Sequence, residues 1–75
     1  MNVYNFTYGG PTDVKEIEVY AADENEAKSK FTSRTGVSDF QFEMLGVCDD
    51  YDKARMEGEL KARYGDAHYE NYVIL

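Results

Sequence analysis

Basic residues, cysteine and histidine are all scarce in this chain, and each scarcity closes off a class of function. Eight Lys and Arg stand against fifteen Asp and Glu, giving a formal charge of −7 over 75 residues. Nucleic-acid binders draw much of their affinity from cations that neutralise phosphates, so direct nucleic-acid binding is not expected. The single cysteine, Cys48, rules out an internal disulfide and a cysteine metal cluster. At the end of an apolar stretch it reads as a buried or half-buried thiol rather than a nucleophile. The single histidine, His68, lies between Asp66 and Glu70, and no serine or cysteine stands in a relation to it that makes a catalytic triad. No apolar run approaches the roughly 20 residues a membrane helix needs. The opening MNVYNFTYGG has no basic stretch leading into an apolar one, so a cytoplasmic protein with no membrane contact is expected. Gly9 and Gly10 lack both the dinucleotide-binding glycine spacing and the lysine of a phosphate loop. Neither an enzyme activity nor a cofactor is therefore expected.

What the chain does contain is alternation. In Val37 to Cys48, VSDFQFEMLGVC, the residues Phe40, Phe42 and Met44 alternate with Asp39, Gln41 and Glu43. An extended backbone sends these two sets to opposite faces, one apolar and one acidic. This segment is read as the strand around which the fold is organised. Gly46 breaks the alternation and predicts a bulge or bend that turns Leu45 and Val47 toward the core.

Two strands are expected before it. Residues 2 to 8 set Tyr4, Phe6 and Tyr8 against Val3, Asn5 and Thr7, and residues 14 to 21 set Ile17, Val19 and Ala21 against Glu16, Glu18 and Tyr20. The turn-forming run Gly9 to Asp13 joins them into a hairpin, with a loop longer than the tight two-residue kind. Asp23 followed three residues later by Glu26 is a capping signature, and a helix is expected from Glu24 to about Arg34, ending before Gly36. Ala27 and Phe31 supply its buried pair, and Lys28, Lys30 and Arg34 suit its carboxyl end. A second helix is expected from about Tyr51 to Tyr64, closed by Gly65. Asp49, Asp50 and Asp52 at its start read as caps, because the full calcium-loop pattern is missing and no metal site is indicated. The closing HYENYVIL, residues 68 to 75, is too apolar for a loose tail and reads as a fourth strand or edge segment. The fold class is α+β, one small antiparallel or mixed sheet packed against two helices in the order β-β-α-β-α-β, as a single domain.

The second helix has two non-polar sides. Met56, Leu60 and Tyr64 make the core-facing stripe, while Ala54, Gly58 and Ala62 make a smooth opposite side suited to close packing, self-association or plain exposure. A domain this short is marginally stable alone, so a homodimer or a firmly held partner is a further expectation.

If the helices cover the apolar side of the sheet, then Glu16, Glu18, Tyr20, Asp39, Gln41 and Glu43 share the open side. Like charges held this close repel unless a positive surface meets them. Seven tyrosines exceed what so small a core hides easily, and Tyr51, Tyr69 and Tyr72 join Tyr20 as candidate contact residues. The function expected is a non-enzymatic protein-binding domain. Its sharper form is an inhibitor that lays its carboxylates, in mimicry of DNA, on the basic surface of a nucleic-acid-processing protein. Small accessory proteins of phages and mobile elements offer a class-level analogy. The alternative is a structural domain that self-associates through Ala54, Gly58 and Ala62 or through its C-terminal edge.

Overall fold

The first alternating segment, rather than the third, forms the centre of the sheet. The computed structural model of the chain describes residues 1–75. Strand β1 (Asn2–Gly10) pairs antiparallel with β2 (Asp13–Ala21) on one side and with β3 (Phe40–Val47) on the other. Strand β4 (Val73–Ile74) adds to the far side of β2 in parallel, which gives the order β3-β1-β2-β4. Helix α1 (Glu24–Thr35) links β2 to β3, and α2 (Asp50–Tyr64) with a 3-10 turn at Tyr69–Asn71 links β3 to β4. This is the expected α+β arrangement, a four-stranded mixed sheet with two helices in the order β-β-α-β-α-β. The Val37 to Cys48 segment, however, contributes an edge strand. Period-two alternation describes a half-buried strand equally well at the centre or at the edge, so the pattern did not discriminate between them.

The hairpin is tighter than the sequence suggested. Pairing runs out to Gly10↔Asp13, leaving Pro11 and Thr12 as the whole loop. Proline suits the second position of a tight turn. Gly9 takes φ +107°, and a β-carbon there would strike the Asp13 carbonyl oxygen, so this glycine is what lets the strands close so near the tip.

Local signals at the helices hold. The Asp23 carboxylate accepts from the Glu26 backbone N–H at 2.8 Å, and Gly36 closes α1 in the left-handed region at φ 71°. Asp49 caps α2 in the same way through the Asp52 N–H at 2.8 Å. Lys28–Glu24, Lys30–Glu26 and Lys61–Glu57 ion pairs lie one turn apart along the helix surfaces.

The helices lie on opposite faces of the sheet, where the sequence reading placed both over one. The connection β2–α1–β3 crosses the sheet in one direction and β3–α2–β4 crosses it in the other. Two crossovers of the same hand running in opposite directions must carry their helices over opposite faces. On the α1 side, Ala27 and Phe31 pack on Tyr4, Phe6, Ile17, Val19 and Ala21. Phe6 stacks on Phe31 with centroids 4.5 Å apart, and Phe40 meets Phe31 edge-on at 5.0 Å, in the offset and edge geometries aromatic quadrupoles favour. On the α2 side a smaller cluster joins Val3, Tyr20 and Val73, with Met56, Leu60, Tyr69 and Cys48 packed against it.

Two expectations about β3 change with this arrangement. Met44 shares the apolar side of the alternation with Phe40 and Phe42, but it is 52% exposed, because α1 reaches only as far as the two phenylalanines. The bulge expected near Gly46 is present, with register shifting between Tyr4↔Met44 and Val3↔Gly46. It leaves Leu45 50% and Val47 73% exposed rather than turning them inward.

Candidate partner-binding face

On the α2 side of the sheet the register builds parallel rows of side chains across three strands. Val3 pairs with Tyr20 and Gly46; the next row is Glu18, Asn5 and Glu43; the next is Glu16, Thr7 and Gln41. Asp39 immediately precedes Phe40, the first residue of β3, and lies outside the paired strand. Helix α2 covers the first row and flanks Glu18 in the second, and beyond it the acidic rows open to solvent. A depression of about 240 Å³ lined by Asn5, Thr7, Gln41, Phe42 and Glu43 marks the uncovered surface. Because β1 lies between β2 and β3, Glu18 and Glu43 stand two strand spacings apart, about 10 Å.

Glu16, Asp39, Gln41 and Glu43 are exposed, and Glu18 is half-buried at the foot of α2. No ion pair reaches any of the four acids. The five ion pairs are Lys15–Asp13, Lys28–Glu24, Lys30–Glu26, Arg34–Glu70 and Lys61–Glu57, and they engage five of the eight basic side chains. The remaining three, Lys53, Arg55 and Arg63, are all on α2. Arg55 and Arg63 line the clefts that also contain Glu18, without pairing to it. The only side-chain hydrogen bond within the open rows is Asn5 Nδ2 donating to Glu16 Oε1 at 3.5 Å. The rows therefore hold carboxylates that no ion pair in the fold neutralises.

Burial acts on the residues where α2 meets the acidic rows. Desolvation raises the Glu18 carboxyl pKa above its ordinary value. The Tyr20 hydroxyl is pushed up to about 12, first by burial, then by the charge of Glu18 and that of Cys48. Tyr20 is 1% exposed and donates its hydroxyl proton to the Met56 sulfur. Its assignment to the open face is thus corrected: alternation put it with Glu16 and Glu18, and α2 covers this end of that face.

The other tyrosines do not gather into one patch. Tyr51, at the first turn of α2, is 74% exposed and away from the acidic rows. Tyr69 is half-buried against the Val3–Tyr20–Val73 cluster, with the Lys61 ammonium 5.2 Å from its ring centroid. Tyr72 borders the site. It stacks on Tyr64 at 4.1 Å, its carbonyl accepts from the Glu18 N–H at 3.0 Å, and it lines a cleft with Glu18, Met56 and Arg63.

Ala54, Gly58 and Ala62 are exposed on the outer side of α2, and a β-carbon on Gly58 would meet nothing within 4 Å. Close packing within the fold therefore does not account for Gly58. No group of three or more His, Cys, Asp or Glu side chains is arranged to hold a metal ion, and no helix is long and apolar enough to cross a membrane.

Sequence reasoning missed the exposed apolar edge made by Met44, Leu45 and Val47. The signal was present in Gly46, since a bulge near a strand end is a common device at sheet edges. Compared with known proteins, the chain matches no protein family, no curated protein and no solved structure.

Proposed function

We propose that this chain is a non-enzymatic protein-binding domain whose open acidic sheet face docks on a basic surface of a partner protein. The observation that carries the reading is the set Glu16, Glu18 and Glu43, held on one side of the sheet with Asp39 just before β3, and with no ion pair to any of the four. A basic partner relieves the mutual repulsion of these groups and is steered toward them by their summed field. The sharper form is inhibition of a nucleic-acid-processing protein, with rigidly spaced carboxylates filling a groove evolved for phosphates. The test uses the wild-type chain and the Glu16→Lys/Glu43→Lys variant as baits for native partners. The reading expects a partner that the wild type retains, the variant releases, and duplex DNA displaces. A partner held equally by both baits contradicts it.

Self-association is the second reading, favoured by the unexplained Gly58 within the exposed Ala54, Gly58 and Ala62 stripe. Sedimentation of the wild type beside Gly58→Leu tests it, and a wild type that stays monomeric at high micromolar concentration contradicts it.

A further inference from the structure

The acidic rows end at β3, and β3 is the outer strand on that side of the sheet. Its backbone bonds only to β1, so alternate N–H and C=O groups along its outer edge have no protein partner. Edge strands are commonly guarded by lysine, proline, an inward charge, a bulge or a covering segment. β3 contains no lysine and no proline. Its one guard is the bulge at Leu45, which disrupts the ladder beyond Met44. From Phe40 to Met44 the register with β1 is regular, opposite Tyr8 to Tyr4, and that stretch is an open template.

The two sides of this template differ in chemistry. On the α2 side it presents Gln41 and Glu43, with Asp39 just before the strand. On the α1 side it presents Phe40, Phe42 and Met44, and Lys28 holds its ammonium 4.7 Å from the Phe42 ring centroid. A strand added at this edge sends alternate side chains to the two sides. Cations are attracted to the acidic side and repelled by Lys28 on the other, while apolar side chains find their partners only beside Phe42 and Met44.

Resting on the acidic-face reading above, we infer that the partner engages β3 with an extended segment alternating basic and apolar residues, which adds a fifth strand along Phe40–Met44. A second copy of this chain is a poorer occupant, because each copy carries −7 and β3 itself contains Glu43 and no base. Main-chain bonds supply the attachment, and the two unlike sides fix which residues of the segment face the carboxylates.

The test uses a capped heptapeptide alternating lysine and valine, and its analogue N-methylated at every residue, which keeps the side chains and charge but can donate no main-chain hydrogen bond to β3 in either strand direction. The expected result is binding of the parent at low salt, a loss of tenfold or more for the methylated analogue, and slowed amide exchange at alternate residues between Phe40 and Met44. An analogue that binds like the parent overturns edge docking. If the parent and a heptalysine still bind, and bind more weakly to Glu16→Lys/Glu43→Lys, the acidic-face reading survives that failure. No binding by either peptide overturns both. Concentration-dependent protection of β3 amides without any peptide assigns the edge to a second copy and also overturns the inference.

Discussion

Tyr20 on β2 donates its hydroxyl proton to the sulfur of Met56 on α2, and this contact closes the sheet's second face beneath the helix. A thioether is a weak acceptor, so the hydrogen bond contributes less than the packing of the ring. Tyr20→Phe is expected to cost about 1 kcal/mol or less, and Tyr20→Ala on the order of 3 kcal/mol. Chemical denaturation of both variants measures this. Equal losses for the two would mean that the hydroxyl, and not the ring, holds α2 in place.

The same burial predicts how Tyr20 titrates. With its pKa pushed up from 10 to about 12, Tyr20 should remain neutral well into the alkaline range. Because the folded value exceeds the unfolded one, the associated stability is fully present below pH 10 and is lost as pH rises through 12. Absorbance titration of wild type against Tyr20→Phe should show one late tyrosinate missing from the variant. A one-tyrosinate difference between the two curves already complete by pH 11 would contradict the burial of this hydroxyl.

Glu18 follows the same sign from the acidic side. Its folded-state pKa is raised by desolvation, so the native state holds that proton more firmly than the unfolded chain does. The contribution is present at low pH and is lost as pH rises through the raised value. Glu18→Gln is therefore expected to raise the melting temperature at pH 7 and to leave it unchanged at pH 3. A lower melting temperature at pH 7 would mean that Arg55 or Arg63 stabilises the charged form in solution.

Two glycines should respond in opposite directions. Gly58→Ala adds a methyl group in open space on a helix and is expected to stabilise by roughly 0.5–1 kcal/mol. Gly9→Ala places a β-carbon against the Asp13 carbonyl at positive φ and is expected to cost more than about 1 kcal/mol. Thermal melts read both. A destabilised monomeric Gly58→Ala would point to a tight approach at that face.

The closing segment is part of the core. Val73 is 2% exposed between the sheet and α2, and the Lys30 ammonium donates to the Tyr20 carbonyl at 2.7 Å and to Leu75 O at 3.1 Å. Val73→Ala is expected to cost on the order of 2 kcal/mol. An unchanged unfolding midpoint would show that β4 does not hold the domain together.

Where sequence reading succeeded, short-range chemistry decided the outcome. The Asp23 and Glu26 cap, Gly36 and the Ala27 and Phe31 pair specify α1 locally, and alternation specifies both strands of the hairpin. It also put Glu16, Glu18, Gln41 and Glu43 on one face, a result that depends only on strand parity once β1 pairs with both neighbours. What stayed hidden was long-range. The stripe Met56, Leu60 and Tyr64 fits either face of a sheet, and crossover direction, which is set by strand order, chooses between them. That choice buries Tyr20 and half-buries Glu18.

The central claim is that the uncovered acidic rows bind a basic surface. It is tested most directly by titrating the isotope-labelled chain with a short lysine homopolymer and following amide shifts residue by residue. The account predicts perturbations concentrated at Asn5, Thr7, Glu16, Glu18, Gln41 and Glu43 that fade as salt rises and disappear in Glu16→Lys/Glu43→Lys. Perturbations centred instead on Asp50, Asp52 and the outer side of α2, and unaffected by that double substitution, would contradict it.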